Sequence, residues 1–251
     1  AFTNCLNFGN PMKPEIFWQF KKCVEGMRNA ALKFMTPVTG GNVSFYNENP
    51  NGAIYPTPTV GMVGVIEDYR KAVPSFFANK GDVVFLLGEP QNELGASHYL
   101  MVQYGLKTGA VPALDLDKEY NLHECLIAAA DQGLATSCHD ITDGGFAVAL
   151  AECCFAHGLG VTVSGVREYC AAREIRLDAF LFGETQSRVV ASVPSGKAKQ
   201  FEALAKEKNV PCSQIGTVGG AKIVIDDVID VTVAEMRTIH ERVLPDALGE
   251  M

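Results

Sequence analysis

Residues 135–156 read ATSCHDITDGGFAVALAECCFA, and the order of elements in this stretch decides the fold class. ATSCHD, 135–140, has the length of a short strand. A polar turn closing on Gly144-Gly145 follows, and the apolar run from about Gly145 to Ala156 predicts a helix. Working outward, GVTVSG (160–165) is the next strand, and a helix from about Asp117 to Gln132 precedes the quoted stretch. VVFLLGE (83–89) is an apolar run of strand length with a glycine stop. Downstream, RVVASV (188–193) predicts a strand, Lys197 to Lys208 a helix, CSQIGTV (212–218) and KIVID (222–226) two strands, and Ile229 to Val243 a closing helix. Strands and helices therefore mix along a domain of residues 71–251, a normal domain size.

The first 70 residues form a separate, shorter piece. AFTNCLNF alternates loosely and stops at the turn Gly9-Asn10-Pro11. From Pro14 to about Phe34, the residues Ile16, Phe20, Val24, Met27, Ala31 and Phe34 step by three and four, which is helical spacing. Pro14 suits the first helical position and Glu15 suits the positive end of the helix dipole. Thr36-Pro37 ends the helix. VTGGNVSFYNEN is expected as a Gly- and Asn-rich turn between short extended pieces, and PTPTVGMVGVIED as a strand at a sheet edge or bulge. The fold class is α+β, with a partial domain over 1–70 and a complete one over 71–251. Internal repeats and low-complexity tracts are absent from the sequence.

Composition narrows the function classes. The 251 residues are 47% hydrophobic and 20% charged, and 29 Asp and Glu against 21 Lys and Arg leave a net charge of −8. A chain of this size buries roughly 70–75% of its unfolded surface. Nucleic acid and anionic bilayers both attract positive charge, so neither is an expected partner. The sequence holds no apolar run approaching the ~20 residues that span a membrane, and AFTNCLNFGNP lacks the pattern of a secretory signal. The eight cysteines show no CxxC pair. They read as reduced, structural thiols of a cytoplasmic protein.

Four segments could carry chemistry. In Thr39-Gly40-Gly41-Asn42-Val43-Ser44, two glycines let the backbone approach a ligand, and exposed N–H groups could cradle phosphate oxygens. The neutral carbonyl of Asn42 suits a hard cation such as Mg²⁺, with Ser44 on the same face of an extended chain. The same residues also read as an ordinary turn. Asn4 and Asn7 interrupt the apolar pattern of the opening strand, either as ligands near a strand end or as turn formers. In His139-Asp140-Ile141-Thr142-Asp143-Gly144-Gly145, Asp140 and Asp143 could hold Mg²⁺, and Asp143 serves equally as a helix N-cap. Phe182-Gly183-Glu184-Thr185-Gln186-Ser187-Arg188 is a polar run before a strand, either a site or a surface loop. His98, His123, His157 and His240 have no partner pattern and read as surface or packed residues. GxSxG, GxxxxGK[ST] and GxGxxG are all absent.

TNCLNFGNP, PVTGGNVSFYNE, PTPTVGMVGVIED, HDITDGGFAVALAE and LFGETQSRVVASV together resemble the C-terminal third of the synthetase subunit of the phosphoribosylformylglycinamidine synthase family. That family lies within the wider aminoimidazole ribonucleotide synthetase superfamily. The likeness runs from residue 1 to about 240, and its first three motifs are the more specific. It implies a partial N-terminal-type domain followed by a complete C-terminal-type domain with a mixed sheet and packed helices. It also implies a ligase of purine biosynthesis that joins formylglycinamide ribonucleotide and ammonia with ATP, the ammonia coming from a glutaminase subunit or domain.

Carried over residue by residue, the resemblance places ATP contacts at Asn4 and Gly41, an Mg²⁺ ligand at Asn42 and a substrate contact at Ser44. Many family members have Asp at the position of Asn4. Asp140, Asp143, Glu184 and Gln186 match segments that contact metal and substrate in the family's first half, and they are the weaker candidates here. The motif of the family's catalytic histidine is not found, so no catalytic residue is assigned. The chain is expected to be a fragment that starts in mid-domain, inactive without its missing N-terminal portion, and to dimerise through unpaired strand edges. Two other readings stand beside this one: a non-catalytic module that assembles with a glutaminase subunit, and a small-molecule ATP kinase of the same superfamily.

Overall fold

The computed structural model describes residues 1–249. The chain divides into two compact units, the first spanning Ala1–Glu67 and the second beginning at Asp68.

The first unit opens with β1 (Phe2–Asn7), helix α1 (Pro14–Lys33) and β2 (Val38–Ser44). A two-residue hairpin of β3 (Glu48–Asn49) and β4 (Gly52–Ala53) follows, then β5 (Thr57–Met62). The main sheet has the order β2-β1-β5, with β2 parallel and β5 antiparallel to β1. A parallel pair needs a crossover, and α1 supplies it. One stripe of α1 covers the sheet: Ile16 is buried with Leu6 and Phe8, and Phe20, Cys23, Met27 and Phe45 pack around them. Phe20 lies edge-on to both Phe8 and Phe45, with ring centroids 5.4 and 5.1 Å away. Val24, expected on this stripe, is instead 38% exposed. The segment read as a Gly-rich turn is also corrected. VTGGNVS is one continuous strand, because its pairing along the whole of β1 outweighs the local preference of its glycines.

The second unit contains β6 (Val83–Leu87), α2 (His98–Tyr104), α3 (Leu116–Asp131), β7 (Ser137–Asp140), α4 (Gly145–Phe155) and β8 (Val161–Val163). Then come α5 (Val166–Ala172), α6 (Leu177–Phe182), β9 (Val189–Val193), α7 (Ala198–Glu207), β10 (Cys212–Val218), β11 (Lys222–Ile225), β12 (Ile229–Thr232) and α8 (Val233–Leu248). Its seven strands run in the order β12-β11-β8-β10-β6-β9-β7. Among the described residues, only β8 and β11 are parallel neighbours in this sheet, so the sheet is mixed, as the resemblance implies.

Both faces of this sheet are covered. Val84 and Leu86 of β6 pack with Phe146, Leu150, Phe180 and Ile223, on the side of α4 and α6. Val83, Phe85 and Leu87 pack with Leu122, Cys125, Phe201 and Leu204, on the side of α3 and α7. A strand buried on both faces has no polar side to alternate with, which is why VVFLL reads as a continuous apolar run. Ser192 of β9 is the polar exception. It is fully buried, and its Oγ lies 2.6 Å from Ser137 Oγ and 2.8 Å from Thr136 Oγ1. Thr136 in turn donates to buried Asp82.

The end of the chain corrects another expectation. Ile229–Thr232 is a strand paired with β11, and the helix starts only at Val233. Thr232 and Glu235 form a reciprocal capping box there, which sets the boundary. The short helices α2, α5 and α6 were not expected. All eight cysteines are free thiols. Burial pushes the Cys125 thiol up to about 11 and those of Cys138, Cys154 and Cys212 up to about 12, so these behave as packing groups. Among the described residues, no helix is long and apolar enough to cross a membrane.

Candidate functional site

In the first unit, the register of β1 with β2 sets Asn4 opposite Gly41, Cys5 opposite Asn42 and Asn7 opposite Ser44. Across β5, Cys5 faces Thr59 and Asn4 faces Val60. Paired residues share a face of the sheet. Asn42, Cys5 and Thr59 therefore form one row, and Gly41 and Asn4 belong to the opposite face. An open groove of about 370 Å³ is lined by Thr3, Asn4, Cys5, Gly41, Asn42, Thr59 and Gly61. It gathers three of the four expected site residues. Ser44 stands beyond it at the end of β2, where its Oγ and the Asn47 carboxamide lie within hydrogen-bond reach at 3.0–3.2 Å.

Gly41 is required by close approach. A Cβ there would collide with the Asn4 backbone carbonyl and stand 2.6 Å from Asn4 Oδ1. The groove residues are all uncharged, so a bound phosphate would have to be met by backbone N–H groups and a cation. Asn42 is exposed, and its carboxamide has no hydrogen-bond partner among the described residues. That is the state expected of an oxygen ligand available to a hard cation such as Mg²⁺.

In the second unit, Glu184 ties two helices together. Its Oε1 accepts the backbone N–H of Gly144, at the start of α4, and that of His98, at the start of α2, both at 2.9 Å. His98 Nδ1 lies 3.2 Å from the same oxygen and 3.7 Å from Asp143 Oδ1. Asp143 is thus not the N-cap of α4. Gly144 occupies that position, and Glu184 supplies the acceptor. Gly145 lets the helix start pack tightly, for a Cβ there would stand 2.7 Å from the Gly183 carbonyl oxygen at a φ of +74°. Asp140 stands apart from this group, beside His139 at the end of β7.

The run from Phe182 to Arg188, read as either a site or a surface loop, is partly buried. Arg188 is 2% exposed and Thr185 is 6% exposed. Arg188 donates to the carbonyls of Thr185 and Gly183, at 2.9 and 2.6 Å, and burial lowers its guanidinium to about 10. Two adjoining cavities of about 430 and 420 Å³ share Leu122, Gln186 and Ser187 in their walls. Ser187 donates to Glu119 Oε2 at 2.5 Å, and Glu119 Oε1 pairs with His123 Nε2 at 3.0 Å. The His123 bond leads in holding the Glu119 carboxyl below its usual range, with burial opposing it.

Comparison with known proteins places this architecture. Residues 79–228 match the family described as AIR synthase related protein, C-terminal domain, and residues 1–66 match the corresponding N-terminal domain. The chain belongs to the AIR synthase related family. This AIR synthase related chain is 47% identical over 240 residues to phosphoribosylformylglycinamidine synthase subunit PurL of Anaeromyxobacter sp. (strain Fw109-5), an alignment covering 94% of this chain and 31% of that protein. Among solved structures, T. maritima PurL complexed with FGAR aligns with a TM-score of 0.74 at 17% identity, covering 94% of this chain and 39% of the other. T. maritima PurL complexed with ATP aligns at 0.68 and 18% identity, covering 94% and 37%. At these identities the structures establish the shared fold. The chain spans about a third of the length of the curated relatives it matches.

Within this AIR synthase related fold, reading the sequence missed two groups. His98 was expected to have no special partner, yet it meets Asp143 and Glu184 across three separate elements. The buried guanidinium of Arg188 was the other. A polar run directly before a fully apolar strand was the available signal for Arg188, whereas only tertiary structure brings His98 to its partners.

Proposed function

We propose that this chain is the C-terminal part of an ATP-dependent amidine-forming carbon–nitrogen ligase of purine biosynthesis. The reaction converts formylglycinamide ribonucleotide, ammonia and ATP to formylglycinamidine ribonucleotide, ADP and phosphate. The amide oxygen of the substrate attacks the γ-phosphorus and ADP leaves. Ammonia then attacks the activated carbon, and the C–O bond breaks to release phosphate. A glutaminase subunit or domain supplies the ammonia, and the setting is the cytoplasm.

The observation that carries this reading is the open groove at β1, β2 and β5, which is lined by Asn4, Gly41 and Asn42 together. The kinship with PurL proteins at 47% identity supports it from the sequence side. Asn4 and Gly41 are the proposed ATP contacts, Asn42 the Mg²⁺ ligand, and Ser44 a substrate contact at the strand end. Mg²⁺ held there offsets phosphate charge, the main electrostatic need of phosphoryl transfer. No side chain of this chain is assigned as a general base, and the preceding portion of the ligase supplies the remaining groups.

The test is ADP release with formylglycinamide ribonucleotide, ammonium and ATP. The chain alone is expected to show no turnover, and joining it to the preceding portion is expected to give turnover. In the joined protein, Asn42→Ala is expected to raise the Mg²⁺ concentration needed for half-maximal rate several-fold. An inactive joined protein, folded and nucleotide-supplied, overturns the assignment.

A further inference from the structure

We propose that His98, Asp143 and Glu184 form a binding site for one divalent cation of the zinc class. The inference is independent of the ligase reading and concerns a different unit from the Asn42 groove. One ligand atom from each of the three side chains lies within 4.8 Å of the others. His98 Nδ1 stands 3.2 Å from Glu184 Oε1 and 3.7 Å from Asp143 Oδ1. Two donors each about 2.1 Å from a tetrahedral ion are separated by about 3.4 Å, so these spacings bracket the separation needed.

The supporting structure is that of a held ligand set. The Glu184 side chain is 14% exposed, and its carboxylate is oriented by the N–H groups of Gly144 and His98. Outer-shell hydrogen bonds of this kind orient metal-binding carboxylates. They engage Oε1, the oxygen whose spacing to His98 Nδ1 is given above, and Oε2 has no hydrogen-bond partner among the described residues. The start of α2 is fixed as well, because Ser97 Oγ donates to the Leu94 carbonyl and accepts from the Leu100 N–H. His98 and Asp143 are 48% and 83% exposed, so an ion can enter from solvent and keep water in its remaining positions. Among the described residues, no Lys or Arg forms an ion pair with either carboxylate; the nearby Arg188 guanidinium, which acts on Glu184 only through its charge, donates instead to the Thr185 and Gly183 carbonyls.

Ligand type selects the ion. An imidazole beside two carboxylates favours Zn²⁺ and its neighbours, whereas Mg²⁺ favours oxygen alone. A bound ion would join the start of α2, the β7–α4 turn and the α6–β9 turn.

The test titrates the metal-free chain with ZnCl₂ by calorimetry, under a non-chelating reductant, and follows Co²⁺ by visible absorption. The expected result is one ion per chain with low-micromolar Kd, unaffected by millimolar Mg²⁺. H98A and D143N are each expected to weaken binding at least tenfold. Asp143 is largely exposed, so an unchanged metal-free Tm for D143N separates loss of a ligand from loss of the fold. A raised Tm with Zn²⁺ in the parent chain, absent in H98A, is the accompanying readout. No stoichiometric binding, displacement by Mg²⁺, thiolate-to-Co²⁺ charge-transfer bands, or unchanged affinity in H98A would each overturn the proposal.

Discussion

Replacing Glu184 with Ala removes one oxygen that serves two helix starts, and the cost follows from what it leaves behind. The N–H groups of Gly144 and His98 both lose a carboxylate acceptor held at 2.9 Å. Hydrogen bonds to charged groups contribute about 1.5–3 kcal/mol each, and partial solvent access at these turns places the pair at about 2–4 kcal/mol. For a unit of this size, each kcal/mol lowers Tm by about 2–4 °C, so the expected fall is roughly 4–16 °C. Glu184→Gln keeps an acceptor oxygen at the same reach and gives up only its charge, an expected loss of about 1 kcal/mol. Calorimetry of both variants without added metal measures the difference. Hydrogen exchange at the Gly144 and His98 amides locates it, since protection there should fall in Glu184→Ala while the strands stay protected. A Tm within 1–2 °C of the parent would refute the capping argument, as would Gln being as damaging as Ala.

Two further outcomes are expected. Ser192→Ala strands the buried Ser137 hydroxyl, at a cost of about 1–3 kcal/mol, whereas Ser137→Ala/Ser192→Ala removes both partners and is expected to be more stable than Ser192→Ala alone; urea unfolding measures this as a favourable coupling. Glu119 has its folded pKa depressed, so its contribution is present above the ordinary glutamate value of about 4.3 and is lost as pH falls through the folded value. Glu119→Gln is expected to flatten the loss of stability on acidification below that pH, read from urea midpoints between pH 3 and 6.

Much of the architecture was readable where burial is one-sided in kind. VVFLL and RVVASV declare themselves because strands covered on both faces admit almost no polar residue. The face of α1 shows because Ile16, Phe20 and Met27 must return every turn. The failures have physical causes as well. TGGN carries a local turn preference, and only the neighbouring strand overrides it. Helices α2, α5 and α6 are too short to show a period. Ile229–Thr232 shares apolar spacing with the helix after it, although Thr232-x-x-Glu235 was a legible start signal. The chemistry was less readable. The groove residues are neutral and lie on two strands of ordinary composition, so resemblance to a known family singled them out. His98 and Glu184 lie far apart in sequence, and no local pattern joins them.

The position of β6 in the middle of its sheet bears on how the protein is made. VVFLL pairs with β9 on one side and β10 on the other, both roughly a hundred residues or more further along the chain. At synthesis rates of about 5–20 residues per second, this apolar segment waits on the order of 5–20 s for its first partner strand. During that interval it is an uncharged, β-prone run with two open edges, the kind of segment that self-associates. Lys80 and Asp82 before it and Glu89 after it are the only charges close by. Yield of soluble protein should therefore depend on translation speed and chaperone supply more steeply than the stability of the finished fold would suggest.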